Sequence, residues 1–339
     1  MRNVNSELGM ILILGVTASG KGRLAFDLAE SMGAEIISID SMKVYRRMNI
    51  GTGKPPEEAR RRIKYHLIDI VEPSDPFSVG TFLDAALHAI EQIRSRNRPV
   101  VAVGGTALYI KALLYGLFEG PPSDEQIRTR LKAEAQAEGL DELHRRLKKI
   151  DPDAAERIHP NDAKRIIRAL EVHQITGRPI SSLQQQWPQG RGGAAEVGDR
   201  QSSIEHRASS IEYRVSKHNW TMIGLRREKN EENKRINARA KRMIDAGLVD
   251  EVKALLAEDR PLSKQARCAI GYAEIIEHLA GRMSLEEAVE LIKKNTRRLA
   301  KGQRTWFKTF KNVNWLDVEA EKPAEKILDL AKTLLKDAR

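Results

Sequence analysis

The sequence predicts an α/β fold, with a mostly parallel sheet flanked by helices and a helical insertion domain. Three observations carry this expectation. Ile11–Leu14 is an apolar run entering a loop bounded by Gly15 and Gly20, after which Lys21, Leu24, Ala25, Leu28 and Ala29 open a helical pattern. Strand-like runs and helix-period segments then alternate as far as residue 115. From Pro121 the apolar runs stop, and residues 123–182 read as polar helices with no obvious strand.

The opening stretch fits G-x-x-x-x-G-K through Gly15, Gly20 and Lys21, with strand before it and helix after it, the context of a phosphate-binding P-loop core. Glycines let several backbone N–H groups point inward, the helix start adds partial positive charge, and the lysine reaches the outer phosphate. Gly15, Val16, Thr17, Ala18, Ser19, Gly20, Lys21 and Gly22 are therefore the candidate diphosphate-binding residues. The last position normally carries the Ser or Thr hydroxyl that holds Mg²⁺, and Gly22 has none. Such a loop suits a diphosphate better than an ordinary nucleotide–metal complex. The plainer reading is a glycine-rich turn without a ligand.

Ala34–Asp40 reads as a second buried strand that brings Asp40 and Ser41 to its C-terminal end, where parallel sheets bind ligands. A helix N-cap is an equally good reading of Asp40. A basic loop with Lys43, Arg46, Arg47 and Lys54 follows, then the short apolar run at 67–71. Ser78–Arg96 has helical period through Phe82, Ala85, Ala86, Ala89, Ile90 and Ile93, and Pro99–Val103 is a strand running into Gly104-Gly105-Thr106. Helical patterning continues in Ser123–Glu138, Asp141–Lys149 and Asn161–Thr176. Gln184–Ser210 has few large apolar residues and reads as a loop or linker. Asn219–Leu225 returns as a strand, and Asn230–Leu256 and Ser284–Phe310 are long basic helices, the latter with Leu299 and Trp306 facing inward. The expected organisation is a core at 1–120, an insertion at 121–184, a flexible loop at 185–218, and a return strand with C-terminal helices at 219–339.

A net charge of +11 and a pI near 9.6 favour a polyanionic partner, nucleic acid ahead of a membrane surface, although solvated surface charge alone reads equally well. The single cysteine, Cys268, excludes a disulfide framework and points to a reducing cytoplasm. No signal peptide or membrane span is visible, and the histidines lack metal-ligand spacing.

Several ordered blocks together resemble the tRNA isopentenyltransferase (tRNA dimethylallyltransferase) family: 15–21, 37–55, 65–71, 103–117, 157–172, 246–252, 269–276 and 295–308. The resemblance implies transfer of a dimethylallyl group from dimethylallyl diphosphate to N6 of an adenosine beside the anticodon of tRNA, with release of pyrophosphate. It implies catalytic roles for Asp40, Lys21 and Lys229. It also implies tRNA contacts from Asp40, Ser41, Met42, Lys43, Thr106, Arg128, Lys164, Arg165, Ile166, Ile167, Arg168, Arg267, Gly271 and Tyr272. The segment 121–184 matches the insertion that grips the anticodon stem-loop. Mg²⁺ is the implied cofactor, and a cytoplasmic monomer without membrane contact is the implied setting.

Five positions depart from the residues the resemblance expects: Gly22 for Thr or Ser, Lys43 and Lys164 for Gln, Lys229 for Arg and Gly302 for Arg. They predict altered diphosphate handling, with Lys43 and Lys164 as candidate compensating cations. Alternatives left open by the residues are a relative that binds tRNA without efficient transfer, a prenyltransferase for free adenine nucleotides, and a P-loop phosphohydrolase or kinase.

Overall fold

The computed structural model describes residues 10–117, 120–184, 219–319 and 323–337. The chain divides into two compact units, residues 1–114 with 205–339, and residues 115–204.

The first unit is built on six strands: β1 (Met10–Gly15), β2 (Glu35–Ile39), β3 (Tyr65–His66), β4 (Val100–Gly104), β5 (Trp220–Arg226) and β6 (Val313–Asp317). They lie in the order β3-β2-β4-β1-β5-β6, and every pairing is parallel. β1 is central, with Ile11 beside Val101 of β4 on one side and Thr221 of β5 on the other. The return strand expected at 219–225 thus rejoins the sheet next to the strand that opens the chain. Its near-continuous apolar sequence fits a strand covered on both faces.

Helices α1 (Lys21–Met32), α2 (Glu57–Arg62) and α3 (Val79–Ser95) connect the first four strands, and α4 (Ala107–Tyr115) follows β4. On one face, Leu24, Ala25, Leu28 and Ala29 of α1 pack with Ile11, Ile13, Ile36, Val101 and Ile223. Burying each of the two leucines contributes ~1.5–3 kcal/mol. Leu12, Leu14, Ile37 and Ile39 alternate with these along β1 and β2 and are equally buried, so the second face is covered as well. Gly33, at φ 64°, ends α1 in a left-handed turn, and Ser78 caps α3 by accepting from Thr81 N–H.

The C-terminal part of this unit departs from the expected helices. Asn230–Leu256 is two helices, α10 (Lys229–Asp245) and α11 (Leu248–Leu256), because Gly247 takes φ 93° between them. α12 (Lys264–Arg267), α13 (Tyr272–Leu279) and α14 (Leu285–Phe307) follow, α14 opening on a Ser284–Glu287 capping box. β6 and α15 (Ala324–Asp337), which the sequence reading did not single out, close the sheet edge and cover α1. The run at 67–71 is held to the loop after β2 by the N–H groups of Asp69, Ile70 and Val71, which donate to Lys43 O and Val44 O, and by a bridge between Tyr45 and Val71.

The second unit contains α5 (Glu125–Ala137), α6 (Leu140–Ile150), α7 (Pro152–Arg157), α8 (Ala163–Thr176) and α9 (Ile180–Leu183). Its core is Leu131, Leu143, Leu147, Ile166 and Leu170 with their neighbours. Glu171 is fully buried there and accepts from Arg128, Arg168 and the Asp124 N–H. Burial alone would raise its pKa, but these hydrogen bonds hold the carboxyl below the ordinary range. Asp151, also buried, caps α7 and accepts from Ser181 N–H, fastening α9 to the bundle. The loop expected at 185–218 lies outside the described residues.

Candidate active site

The C-terminal ends of β1, β2 and β4 open into one cavity of ≈ 1160 Å³. At the end of β1 the chain folds into a compact turn. Ala18 and Gly20 both adopt positive φ, 63° and 99°, and Ser19 is fully buried between them. The turn is braced from within by Ser19 N–H to Val16 O at 3.2 Å, and by Lys21 Nζ to Val16 O at 3.1 Å. Outside braces come from other elements: Arg227 Nε donates to Ser19 O at 2.8 Å and Arg235 Nε to Ala18 O at 2.9 Å. Gln303, buried on α14, accepts from Thr17 N–H at 2.8 Å and donates to Gly105 O at 2.8 Å. One side chain thus ties the first glycine turn to the second.

The second turn explains its glycines sterically. A Cβ on Gly104 would lie 2.0 Å from Ile39 O, and one on Gly105 would lie 2.5 Å from the Gln303 amide nitrogen. β4 can sit against β2 at this point only without side chains there. Thr106, just beyond, accepts from Ser41 N–H at 3.1 Å, which fixes the chain leaving β2. Asp40 ends that strand. Its Oδ1 accepts from Met42 N–H at 2.9 Å and Lys43 N–H at 3.3 Å, so the capping reading describes one carboxylate oxygen. The residue also lines the cavity, as does Lys21.

The cavity wall is strongly cationic. Lys21, Lys43, Arg235, Arg239 and Arg242 line it, against the carboxylates Asp40 and Glu58. Burial, followed by the neighbouring Lys43 ammonium, pushes Lys21 down to about 7, while Asp40 opposes the shift. Burial likewise lowers Lys43, again opposed by Asp40. Arg239 is held below its ordinary value by burial and donates to Thr52 O at 3.2 Å. Phe26, Leu108, Leu299 and Trp306 line the same cavity and give it an apolar wall.

That wall corrects the expectation that Leu299 and Trp306 face inward. Leu299 is 44% exposed, because the buried side of α14 runs through Ile292, Ala300, Gln303 and Phe307. Residues 299 and 306 occupy the adjoining face, turned to the cavity. The arginines at 235, 239 and 242 were not singled out from the sequence. Their spacing of four and three residues was the available signal, placing all three on one side of α10.

The remaining candidates are dispersed. Thr17, Ala18, Gly20, Gly22, Ser41, Met42 and Thr106 line the cavity, whereas Lys229 is exposed at the first turn of α10 and does not. Tyr272 is fully buried and donates to Glu251 at 2.5 Å, and Glu251 accepts the N–H groups of Asn49 and Ile50. It therefore supports the loop after Lys43 from behind, beside Gly271, while Arg267 is exposed. In the second unit, Lys164 and Arg165 are exposed at the start of α8. Ile166 and Ile167 point into that unit's core, and Arg128 and Arg168 are engaged by Glu171.

The donor set does not fit a protein-held Mg²⁺. Among the described residues no group of three or more His, Cys, Asp or Glu is placed to hold a metal. Gly22 offers no hydroxyl, and Asp40 already spends one oxygen on backbone N–H groups. No helix among the described residues is long and apolar enough to cross a membrane.

Comparison with known proteins places this geometry in context. Residues 43–310 match the family described as IPP transferase, and residues 8–71 match the one described as isopentenyl transferase. The tRNA dimethylallyltransferase of Geobacter metallireducens is 44% identical over 91% of this chain and 92% of its own. That of Acetivibrio thermocellus is 40% identical over 96% and 97%. The crystal structure of the tRNA isopentenylpyrophosphate transferase of Bacillus halodurans superposes with a TM-score of 0.65 at 37% identity, covering 98% of both chains. A eukaryotic dimethylallyltransferase acting on tRNA shares the fold, with a TM-score of 0.70 at 24% identity over 97% of this chain and 79% of its own. With the family match spanning most of its length, and relatives this similar aligning nearly end to end, the chain belongs to the IPP transferase family.

Proposed function

We propose that this protein transfers the dimethylallyl group of dimethylallyl diphosphate to N6 of an adenosine next to the anticodon in tRNA, releasing pyrophosphate. The observation that carries the reading is the placement of Lys21 and Asp40 in one cavity that also has an apolar wall. The diphosphate sits on the glycine turn, where Lys21 and oriented N–H groups meet the negative charge that develops as the allylic carbon–oxygen bond breaks. The allyl tail lies on the apolar wall. The free oxygen of Asp40 accepts the hydrogen bond of the N6 amine, orients its lone pair toward the allylic carbon, and takes the proton once the nitrogen–carbon bond has formed. Ser41, Met42 and Thr106 shape the approach of the base, which leaves its stack to enter. Lys164 and Arg165, exposed at the start of α8 in the second unit, suit phosphate contact. Lys229, which stands where the resemblance expects an arginine, is exposed at the first turn of α10 and takes no part in this step.

A second reading, a relative that binds tRNA with little transfer, is favoured by the open space at Gly22 and Gly302, where a Cβ would meet nothing within 4 Å. Incubation of the full chain with radiolabelled dimethylallyl diphosphate and an anticodon stem-loop separates the two. Label should appear on the stem-loop, be absent when the target adenosine is replaced, and be far weaker on free adenine nucleotides. Tight stem-loop binding without label would establish the second reading instead.

A further inference from the structure

We propose that Lys43, acting with Arg239, supplies the positive charge that P-loops usually draw from a hydroxyl-anchored Mg²⁺, so that this chain binds pyrophosphate without a divalent metal. The inference rests on the function proposed above and specifies how its leaving group is held.

The residue after the P-loop lysine is the place where a P-loop ordinarily holds Mg²⁺ through a hydroxyl. Here it is Gly22, with open space where a side chain would stand. Across the same cavity, Lys43 is fixed by its backbone on both sides: its N–H donates to Asp40 Oδ1, and its carbonyl accepts from Asp69 N–H at 3.2 Å. Its ammonium makes no hydrogen bond among the described residues, unlike Lys54 nearby. Lys54 is spent on Tyr45 O, Asn49 Oδ1 and Asp69 at 2.5–3.0 Å.

Lys43 and Lys21 line the same cavity, and the Lys43 ammonium adds to burial in holding Lys21 below its ordinary value. Two like charges facing one cavity destabilise the free protein, and an anion between them resolves the conflict. Arg239 donates to Thr52 O through one of its nitrogens and lines the same cavity. The excess of cations over Asp40 and Glu58 is thus built into the wall rather than borrowed from an ion.

Calorimetric titration of inorganic pyrophosphate into the full chain, in EDTA and in Mg²⁺, tests this. The wild type should bind with similar affinity in both buffers. Lys43→Gln should bind about 10- to 100-fold more weakly in EDTA, the scale of one lost charge-assisted hydrogen bond. Gly22→Thr combined with Lys43→Gln should recover binding only when Mg²⁺ is present. Lys43→Met serves as a second substitution, with circular dichroism confirming that each variant is folded. Loss of wild-type binding on chelation, or equal affinity of Lys43→Gln in EDTA, overturns the proposal. Stem-loop transfer, measured in parallel, keeps the two readings apart. Transfer accompanied by metal-dependent pyrophosphate binding defeats only the role of Lys43, and metal-independent binding without transfer defeats only the proposed reaction.

Discussion

Lys21 should take up a proton when a diphosphate binds. In the free protein, burial and Lys43 push its ammonium down to about 7. A diphosphate placed against it offsets both causes, since its adjacent negative charge favours the ammonium despite burial and screens the second lysine. If the bound lysine returns toward its ordinary value of about 10.4, uptake should rise from about 0.1 proton per ligand at pH 6 to about 0.9 near pH 8.5. The ceiling on this coupling is ~5 kcal/mol, from 1.36 kcal/mol for each pH unit between the two values. In the same window the unfolded chain binds more protons at this site than the folded one. The free protein therefore gains stability from Lys21 as pH rises from about 7, and loses it as pH falls back. The assay is calorimetry of pyrophosphate binding at several pH values, in buffers of different ionisation enthalpy. Lys21→Arg, whose guanidinium stays charged throughout, is the reference that cancels the titration of pyrophosphate itself. Equal proton uptake by wild type and Lys21→Arg near pH 8.5 would refute the argument.

Two further outcomes concern α14. Gly302 stands in the helix interior with nothing within 4 Å of a Cβ, so Gly302→Ala should raise stability by up to ~1 kcal/mol, read as a higher midpoint in urea. Glu232 is buried and pairs with Arg304, and burial raises its pKa. Arg304→Met should therefore cost ~3 kcal/mol, the low end for a broken buried pair because Arg304 is partly exposed. Adding Glu232→Leu should bring the double variant to within ~1 kcal/mol of wild type. Additive losses in the double variant would show that the pair is not what the carboxylate depends on.

The parts of the fold legible in the sequence are those written as local periodicity. β1, α1, β2, α3 and β4 fall within a residue or two of the expected bounds, because each is an apolar run or a helical stripe closed by glycine, serine or proline. β6 was missed for a physical reason. Its five residues, VNWLD, are only partly buried at a sheet edge and do not alternate cleanly. Gly247 sits where continuous helical composition hides a break, which only its positive φ reveals. In the site, the glycine turn and Asp40 announced themselves through spacing and strand position. Gln303 did not, since its value lies in joining Thr17 to Gly105 across 286 and 198 residues of sequence. The burial of Ile166, Ile167 and Tyr272 was equally hidden. A block of similar residues does not say which members face a ligand and which hold the block in place.

Asp40 offers the sharpest separation of those two jobs, because its two oxygens divide them. Oδ1 organises the turn through the N–H groups of Met42 and Lys43, and the other oxygen is the one proposed to meet the N6 amine. Asp40→Asn keeps an acceptor for the turn but loses the negative charge and the ability to take a proton. Asp40→Ala loses both. The alanine variant should be about 0.5–2 kcal/mol less stable than the asparagine variant, the cost of an unsatisfied cap. Transfer to the stem-loop should nonetheless fall to a similar low level in both, by ~10²–10⁴-fold, the usual contribution of a positioned acid–base group. Stem-loop affinity should change little in the asparagine variant. If the transfer losses instead tracked the stability losses, with Asp40→Asn near wild type, the carboxylate would be a capping residue alone. The acceptor of the N6 proton would then have to be sought elsewhere along the cavity wall.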